Sequence, residues 1–265
     1  MSRYIRGRAV IRPVRGTTFF DLHMHSDHSG DCRMSVKDIL ALAKKEGFGI
    51  SITDHNEISG SLEALKQEEV PVVPGIEITA NDGIDLLCYF ATQKGLVAFF
   101  NKVKTHRKKD LLKSNKLSGL EIIELCHKHH GVVSLAHPFR YILRIYNIVN
   151  TLPVIRGYFR HVDAIEVVNG KTPQAMNRRA RTWARRLKIP YTSGSDAHHM
   201  DDFLSTFTLF KTKDPEAIVE AIRKGDTTVI GKGTKVWFKL LRSGKNVVVK
   251  WIEKQAKGTG SSATH

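Results

Sequence analysis

Phe19-Phe20-Asp21-Leu22-His23-Met24-His25 is an apolar run that closes on two imidazoles, and the fold turns on how it is read. Residues two apart on a strand face the same side, so His23 and His25 can chelate one metal centre from a strand end. Alone, an HxH pair is as readily structural or superficial as ligating. Four other strand-like runs end in the same way. Gly49 to Thr53 leads into Asp54-His55, and Val72 to Thr79 carries Pro74-Gly75-Ile76-Glu77. Val132 to Ala136 leads into His137-Pro138, and Ile189 to Ser193 into Gly194-Ser195-Asp196-Ala197-His198. Barrels and open α/β sheets place their sites at the carboxyl ends of strands. Five such ends, each with an imidazole or a carboxylate, point to one shared site.

Two more runs, Ile84 to Phe90 and Ala164 to Val168, bring the strands to seven. Helical patterns with clear ends lie between several of them. Ser35 precedes Val36, Ile39, Leu40 and Ala43, and Gly47 stops that run; Ser118 with Glu121 is a capping box before a helix stopped by Gly131; Asp214-Pro215 opens a helix ending near Gly225. The alternation predicts an α/β fold with a largely parallel sheet. Asn81-Asp82-Gly83 leaves no room for a helix, so the third and fourth strands should form an antiparallel hairpin that breaks eightfold symmetry. Residues 1–17 form a basic arm or first strand and 18–231 the main domain. Thr227 to Ile230, Lys235 to Leu241 and Val247 to Ile252 suggest a C-terminal β element, with a basic hairpin over 232–257 and a disordered tail over 258–265.

The chain has 265 residues, enough for one barrel-sized domain, and its 41% hydrophobic and 26% charged residues are those of a globular protein. No apolar run can span a bilayer. Cys32, Cys88 and Cys126 show no CxxC spacing, which argues against a disulfide framework or a thiolate zinc site and fits a reducing, cytoplasmic setting. Arg3, Arg6, Arg8, Arg12 and Arg15 resemble a transit peptide only superficially, since strand-like sequence starts by about Thr17. The net charge of +16 is clustered in Lys102 to Lys116, Lys171 to Lys188 and Lys232 to Lys257. Such fields suit a polyanion, although a protein can be basic without one.

Five histidines with several carboxylates exceed the four ligands of one structural zinc, so two or three ions are expected. Mixed imidazole and carboxylate donors suit Zn²⁺, Mn²⁺ or Fe²⁺. Paired ions activate a bridging hydroxide and neutralise phosphate, so hydrolysis of a phosphate ester is the expected reaction. There is no nucleophilic triad and no GxxxxGK[ST] loop.

The ordered set DLHMHS, TDHN, PGIE, AHP and GSDAH, from Asp21 to His198, resembles the signature of the PHP (polymerase and histidinol phosphatase) superfamily. The resemblance implies a distorted (β/α)7 TIM-like barrel and metal-dependent phosphoesterase activity. It carries His23, His25, His55, Glu77, His137, Asp196 and His198 over as metal ligands, with Glu77 bridging. Two positions depart from the pattern. Gly30 stands where many members have an Asp, so Asp31 would serve after a one-residue shift, with Asp27 as fallback. Asp85 stands where relatives often have a histidine, so either it ligates or that metal position is weaker.

Asp54 and Arg140 are the candidate catalytic residues. Strand alternation favours an outer or loop role for Asp54 over ligation, and Arg140, three residues after His137, is the best-placed phosphate-binding cation, ahead of Lys171, Arg107 and Arg178. His28 fits a solvent-exposed loop; His127, His129 and His130 fit a helix C-terminus; His106, His161 and His199 lack motif context. Trp237 and Trp251 with Lys235, Lys239 and Lys250 could stack on a single strand, but packing with wet lysines is the plainer account. The expected substrate is a nucleotide or short nucleic acid. The alternatives are a histidinol-phosphate-type phosphatase, an amidohydrolase, and a non-catalytic scaffold that binds metal and nucleic acid. No membrane partner is expected.

Overall fold

The structure, a computed structural model, describes residues 2–6, 16–107, 114–140 and 156–233. Strands β1 (Arg3–Arg6), β2 (Thr18–Met24), β3 (Gly49–Ile52), β9 (Thr206–Phe210) and β10 (Thr228–Gly231) form a sheet in the order β1-β10-β9-β2-β3. A second sheet runs in chain order through β4 (Gly75–Thr79), β5 (Asp85–Tyr89), β6 (Val132–Leu135), β7 (Ala164–Asn169) and β8 (Tyr191–Gly194). The helices are α1 (Val36–Glu46), α2 (Ser59–Ala64), α3 (Gln93–Val103), α4 (Gly119–Lys128), α5 (Gln174–Leu187) and α6 (Pro215–Lys224). All seven expected strands are present, and none of the described helices is long and apolar enough to cross a membrane.

The mixed α/β class stands, but two details differ from expectation. Only four of the eight strand ladders are parallel among the described residues. The expected β4–β5 hairpin reverses the chain, with Gly83 at φ 79° in its turn. Strand β6 therefore pairs antiparallel with β5 before β7 and β8 restore parallel order. Nor do ladders among the described residues close a ring. The two sheets meet at seams bridged only singly, at Met24 with Ala197, Ile50 with Val72, and His55 with Glu77. Each seam needs a glycine. A Cβ on Gly75 would stand 2.3 Å from Ser51 Oγ of β3, and one on Gly194 would stand 2.5 Å from the backbone nitrogen of His23 on β2. Close backbone approach of this kind is what glycine permits in a strand.

Strand β2 is buried from Phe19 through Met24, with core on both faces. Phe19 meets Phe207 edge-on, and Phe20 meets Phe210 likewise. The helix ends follow the sequence signals. Ser35 caps α1 and Gly47 ends it at φ 75°, Ser118 and Glu121 form both halves of a capping box, and Asp214 caps α6 ahead of Pro215. Strand β9 escaped the sequence reading, although Thr206-Phe207-Thr208-Leu209-Phe210 is rich in β formers; it pairs antiparallel with β2 and β10. Part of the basic arm is strand β1, parallel to β10. The expected hairpin strands over 235–241 and 247–252 and the tail over 258–265 lie outside the described residues.

Replacing Gly194 with Ala should destabilise the protein by about 1–3 kcal/mol through overpacking against β2, measured as a lower urea midpoint; an unchanged midpoint would refute the tight seam. A pH effect is expected at α4. His127 Nε2 lies 2.7 Å from Asp163, a hydrogen bond that raises the imidazole pKa. The pair should thus stabilise the fold fully below the ordinary histidine value and cease to do so as pH rises through the raised one. Unfolding curves of His127→Gln should lack that alkaline loss.

Candidate metal centre

The strand ends bring the eight metal-ligand candidates together. His25, Asp31, His55 and His198 form one group, His23, Glu77 and His137 a second, and His23, His25 and Asp196 a third, with the ligand-type atoms of each group within 4.8 Å of one another. His23 and His25, two apart on and just beyond β2, join the groups. Glu77 sits between them. Its Oε2 is 3.4 Å from Nε2 of both His23 and His25 and 3.0 Å from His55 Nδ1, and its Oε1 is 3.3 Å from His137 Nε2. His198 Nε2 lies 2.8 Å from Asp31 Oδ2, so the shifted Asp31 does enter the cluster, whereas Asp27 belongs to no group.

Backbone strain accompanies this convergence. His137 and Asp196 hold φ of 26° and 55°, a region that costs a non-glycine residue on the order of 1 kcal/mol or more. Tertiary hydrogen bonds fix both: the His137 N–H donates to Glu166 at 2.9 Å and the Asp196 N–H donates to His23 O at 2.7 Å. Each strained residue aims a donor group at the cluster.

The electrostatics fit cations. Nε2 of His23 and of His25 and both Glu77 carboxylate oxygens are buried and make no hydrogen bond among the described residues. Burial opposes a charge on His23 and His55, yet the surrounding carboxylates, Glu166, Glu77 and Asp196 for His23 and Glu77 and Asp31 for His55, outweigh it. They hold His23 well above its ordinary value and raise His55 to about 9. His25 moves the other way, to about 3, through burial and the neighbouring His55 and His198, and so keeps the neutral form that ligates. A pocket that draws protons onto imidazoles is one whose potential suits divalent ions, and its mixed nitrogen and oxygen donors could hold them.

The model of the PHP domain matches residues 21–187, and a model described as PHP-associated matches residues 174–227. The chain belongs to the PHP domain family. In fold it is similar to a two-domain protein from Bacteroides vulgatus containing a predicted PHP-like metal-dependent phosphoesterase, at 19% identity and TM-score 0.62, over 86% of this chain and 69% of that one. It is also similar to the lesion-specific endonuclease PfuEndoQ from Pyrococcus furiosus, at 22% identity and TM-score 0.62, over 80% of this chain and 57% of that one. A structure of Endonuclease Q with a 27-mer duplex substrate carrying an abasic lesion at the active site matches at 21% identity and TM-score 0.62, over 80% of this chain and 58% of that one. An uncharacterised protein of Methanocaldococcus jannaschii is 39% identical over 77 residues; the match takes in 24% of this chain and 45% of that protein.

Around the candidate ligand cluster of this PHP domain stands a layer that the motifs did not reveal. Glu166, fully buried on β7, lies with Oε1 2.9 Å from His23 Nδ1, while its Oε2 accepts the His137 N–H at 2.9 Å and Asn169 Nδ2 at 3.0 Å. Asn169 Nδ2 also donates to Asp196 Oδ2 at 3.2 Å. One carboxylate thereby ties together three strand ends. Asp21 Oδ1 accepts the N–H groups of Ser195 at 2.8 Å and His23 at 3.3 Å, and Ser29 Oγ lies 3.2 Å from His25 Nδ1. The available signal was an acid at an otherwise apolar position in Ala164-Ile165-Glu166-Val167-Val168.

The other candidates lie as follows. Asp54 stands behind the cluster, its two oxygens accepting the Ser26 N–H at 2.6 Å and Ser26 Oγ–H at 2.7 Å, so it anchors the loop after β2 and belongs to none of the ligand groups. Asp85 accepts Thr79 Oγ1–H at 2.6 Å, and its other oxygen is 3.9 Å from His137 Nε2, outside the groups. Arg140 pairs with Asp196 Oδ2 at the lip of the site. Lys171 is 3.7 Å from Asp202 and within the influence of Asp196 and Arg140, its pKa lowered by burial. Arg107 turns to Glu57, and His28 to Glu63.

Glu166→Gln should weaken Mn²⁺ or Zn²⁺ binding about 10–100-fold in calorimetric titration, because one carboxamide oxygen cannot serve both His23 and His137. Wild-type affinity in that variant would show that Glu166 does not position the ligands.

Proposed function

We propose that this PHP domain is a divalent-metal-dependent hydrolase of phosphate esters, with His23, His25, Asp31, His55, Glu77, His137, Asp196 and His198 as its metal ligands and a nucleotide or short nucleic acid as its substrate. The observation that carries the proposal is the overlap of three ligand groups through His23 and His25, with an arginine and a lysine on the same rim. The donor set suits two or three ions of Zn²⁺, Mn²⁺ or Fe²⁺, and shared histidines with a central Glu77 favour more than one. Ions held there supply Lewis acidity to phosphoryl oxygens and lower the pKa of a coordinated water. The seven consecutive strands β2 to β8, glycine-sealed where the sheets meet, support description as a distorted seven-stranded barrel opened at two seams.

The remaining roles fall to the protein. Arg140, 26% exposed and fixed on Asp196, presents a guanidinium beside the ligand groups, where its planar fork suits phosphate. Lys171, 22% exposed, supplies a second cation on the rim. Glu166, Asn169 and Asp21 hold His23, the His137 backbone, Asp196 and the Ser195 backbone so that the ligand atoms need no rearrangement, and Asp54 does the same for the Ser26 loop. The basic clusters seen in the sequence, together with the similarity to an endonuclease captured with a duplex substrate, favour nucleotides or nucleic acid over a small amino-alcohol phosphate.

The purified chain should hydrolyse p-nitrophenyl phosphate or a nucleotide with Mn²⁺ or Zn²⁺. His23→Ala, Glu77→Ala and Asp196→Ala should each lose metal by elemental analysis and lower turnover on the order of a hundredfold or more, as expected when reacting groups are misplaced. Amide hydrolysis without phosphate-ester hydrolysis would overturn the proposal, as would full metal content in the three variants.

A further inference from the structure

Helix α5 carries Arg178, Arg179, Arg181, Arg185 and Arg186 and no acidic residue. Arg179 is occupied with the Phe139 ring, 5.0 Å from its centroid. Arg178, Arg181 and Arg185, spaced i, i+3 and i+7, lie along one face, and Arg178 and Arg185 are exposed. Two tyrosines flank that face. The Arg181 guanidinium carbon lies 3.8 Å from the centroid of the Tyr4 ring on β1, and Tyr191 at the start of β8 is near enough to Arg181 and Arg185 to feel both charges. Tyr4, Gln174, Ala175, Arg178 and Arg181 wall a cavity of about 280 Å³.

The face begins at the rim of the metal centre. Asn177, in the first turn of α5, accepts the Asn169 N–H at 3.2 Å and donates to Asn169 O at 2.9 Å, and Asn169 in turn contacts Asp196. From Arg178 to Arg185 the face runs roughly 10 Å at the rise of an α-helix, which exceeds what one small phosphometabolite could touch. Cations at successive turns beside aromatic rings are the elements that follow a sugar-phosphate backbone while its bases stack. No apolar stripe runs with these cations, so a lipid surface fits less well.

We infer that the Arg178, Arg181 and Arg185 face of α5, with Tyr4 and Tyr191, is a track for the backbone of a nucleic-acid strand whose scissile phosphate lies at the metal centre. The inference deepens the phosphoesterase proposal and rests on it. It assigns a place to the part of the substrate that undergoes no chemistry.

The test uses the full metal-loaded chain and a fluorescein-labelled phosphorothioate oligothymidylate of about a dozen nucleotides, with binding followed by anisotropy across a salt series. The Arg178→Gln, Arg181→Gln, Arg185→Gln triple variant should bind about tenfold or more weakly. Its slope of log K against log salt should be shallower by about 2, the loss expected for three contacts to a single strand. A double variant at the exposed Arg178 and Arg185 should show about two-thirds of that change, which guards against misfolding at Arg181. Lys37→Gln, Lys45→Gln, Lys128→Gln removes the same charge from exposed positions elsewhere and should bind as the wild type does. Wild-type affinity and slope in the triple variant would overturn the track, and so would an equal loss in the lysine control. Hydrolysis of p-nitrophenyl phosphate by the wild type is scored separately. If it is absent while the arginine variants alone lose binding, the phosphoesterase proposal falls and the binding face stands; if it is present while all variants bind alike, the reverse holds.

Discussion

Glu77 and Asp196 are buried among five imidazoles, and the need to balance that charge governs the rest of the molecule. Removing a carboxylate from water costs several kcal/mol unless opposite charge and hydrogen bonds replace the solvent. Protons on His23 and His55 can meet part of that need, as their raised pKa values show, but a protonated imidazole cannot ligate. Divalent cations meet it while keeping the imidazoles neutral. The pocket is thus a high-energy arrangement in any other state, and the fold must prevent it from relaxing.

Several otherwise unrelated features do so. The positive φ at His137 and Asp196 is held by hydrogen bonds to Glu166 and His23. Gly194 lets β8 approach the His23 backbone, and Gly75 lets β4 approach β3, so that donors from both sheets reach a common point. Glu166 then spans the interior of the second sheet to His23 on the first. Ordinary packing would tolerate a slip of a few tenths of an ångström at such seams. A set of ligand groups shared between histidines would not, since a shift of β2 moves two of its members at once.

Most of the candidate site was legible in the sequence because its residues lie where the strand pattern ends: an imidazole or carboxylate after an apolar run has few other uses. The seven strands from β2 to β8 were legible from their apolar runs. What was not legible depends on contacts between distant segments. Glu166 lies within a strand and acts through its side chain on His23, 143 residues away, so no local spacing marks it. Strand alternation pointed Asp54 away from ligation, but that it holds the Ser26 loop through both its oxygens could be seen only in the structure. Strand β9 had strand composition but sits after a ligand loop, where a helix would complete the alternation. The two open seams have no local signature beyond single glycines, because whether neighbouring strands form a ladder or a single bridge depends on how far their ends diverge to seat the ligands.

Charge is distributed by distance from the centre. Glu77, Asp196 and Glu166 make the interior negative, whereas Arg140 and Lys171 stand at the lip and the arginines of α5 lie beyond it. Salt screens exposed charges over about 10 Å, so an approaching anion meets the outer arginines well before it senses the buried carboxylates. Those carboxylates would repel a phosphate at contact range, because a low-dielectric surround leaves them poorly screened. The outer field can therefore gather anions of many kinds, but only when cations have reversed the sign of the interior can a phosphate settle among the ligands. Selection for anions is thus made at the surface, and selection for a phosphate at the reacting position is made in the pocket. The same helix and loop, from Asn169 to Arg185, physically connect the two.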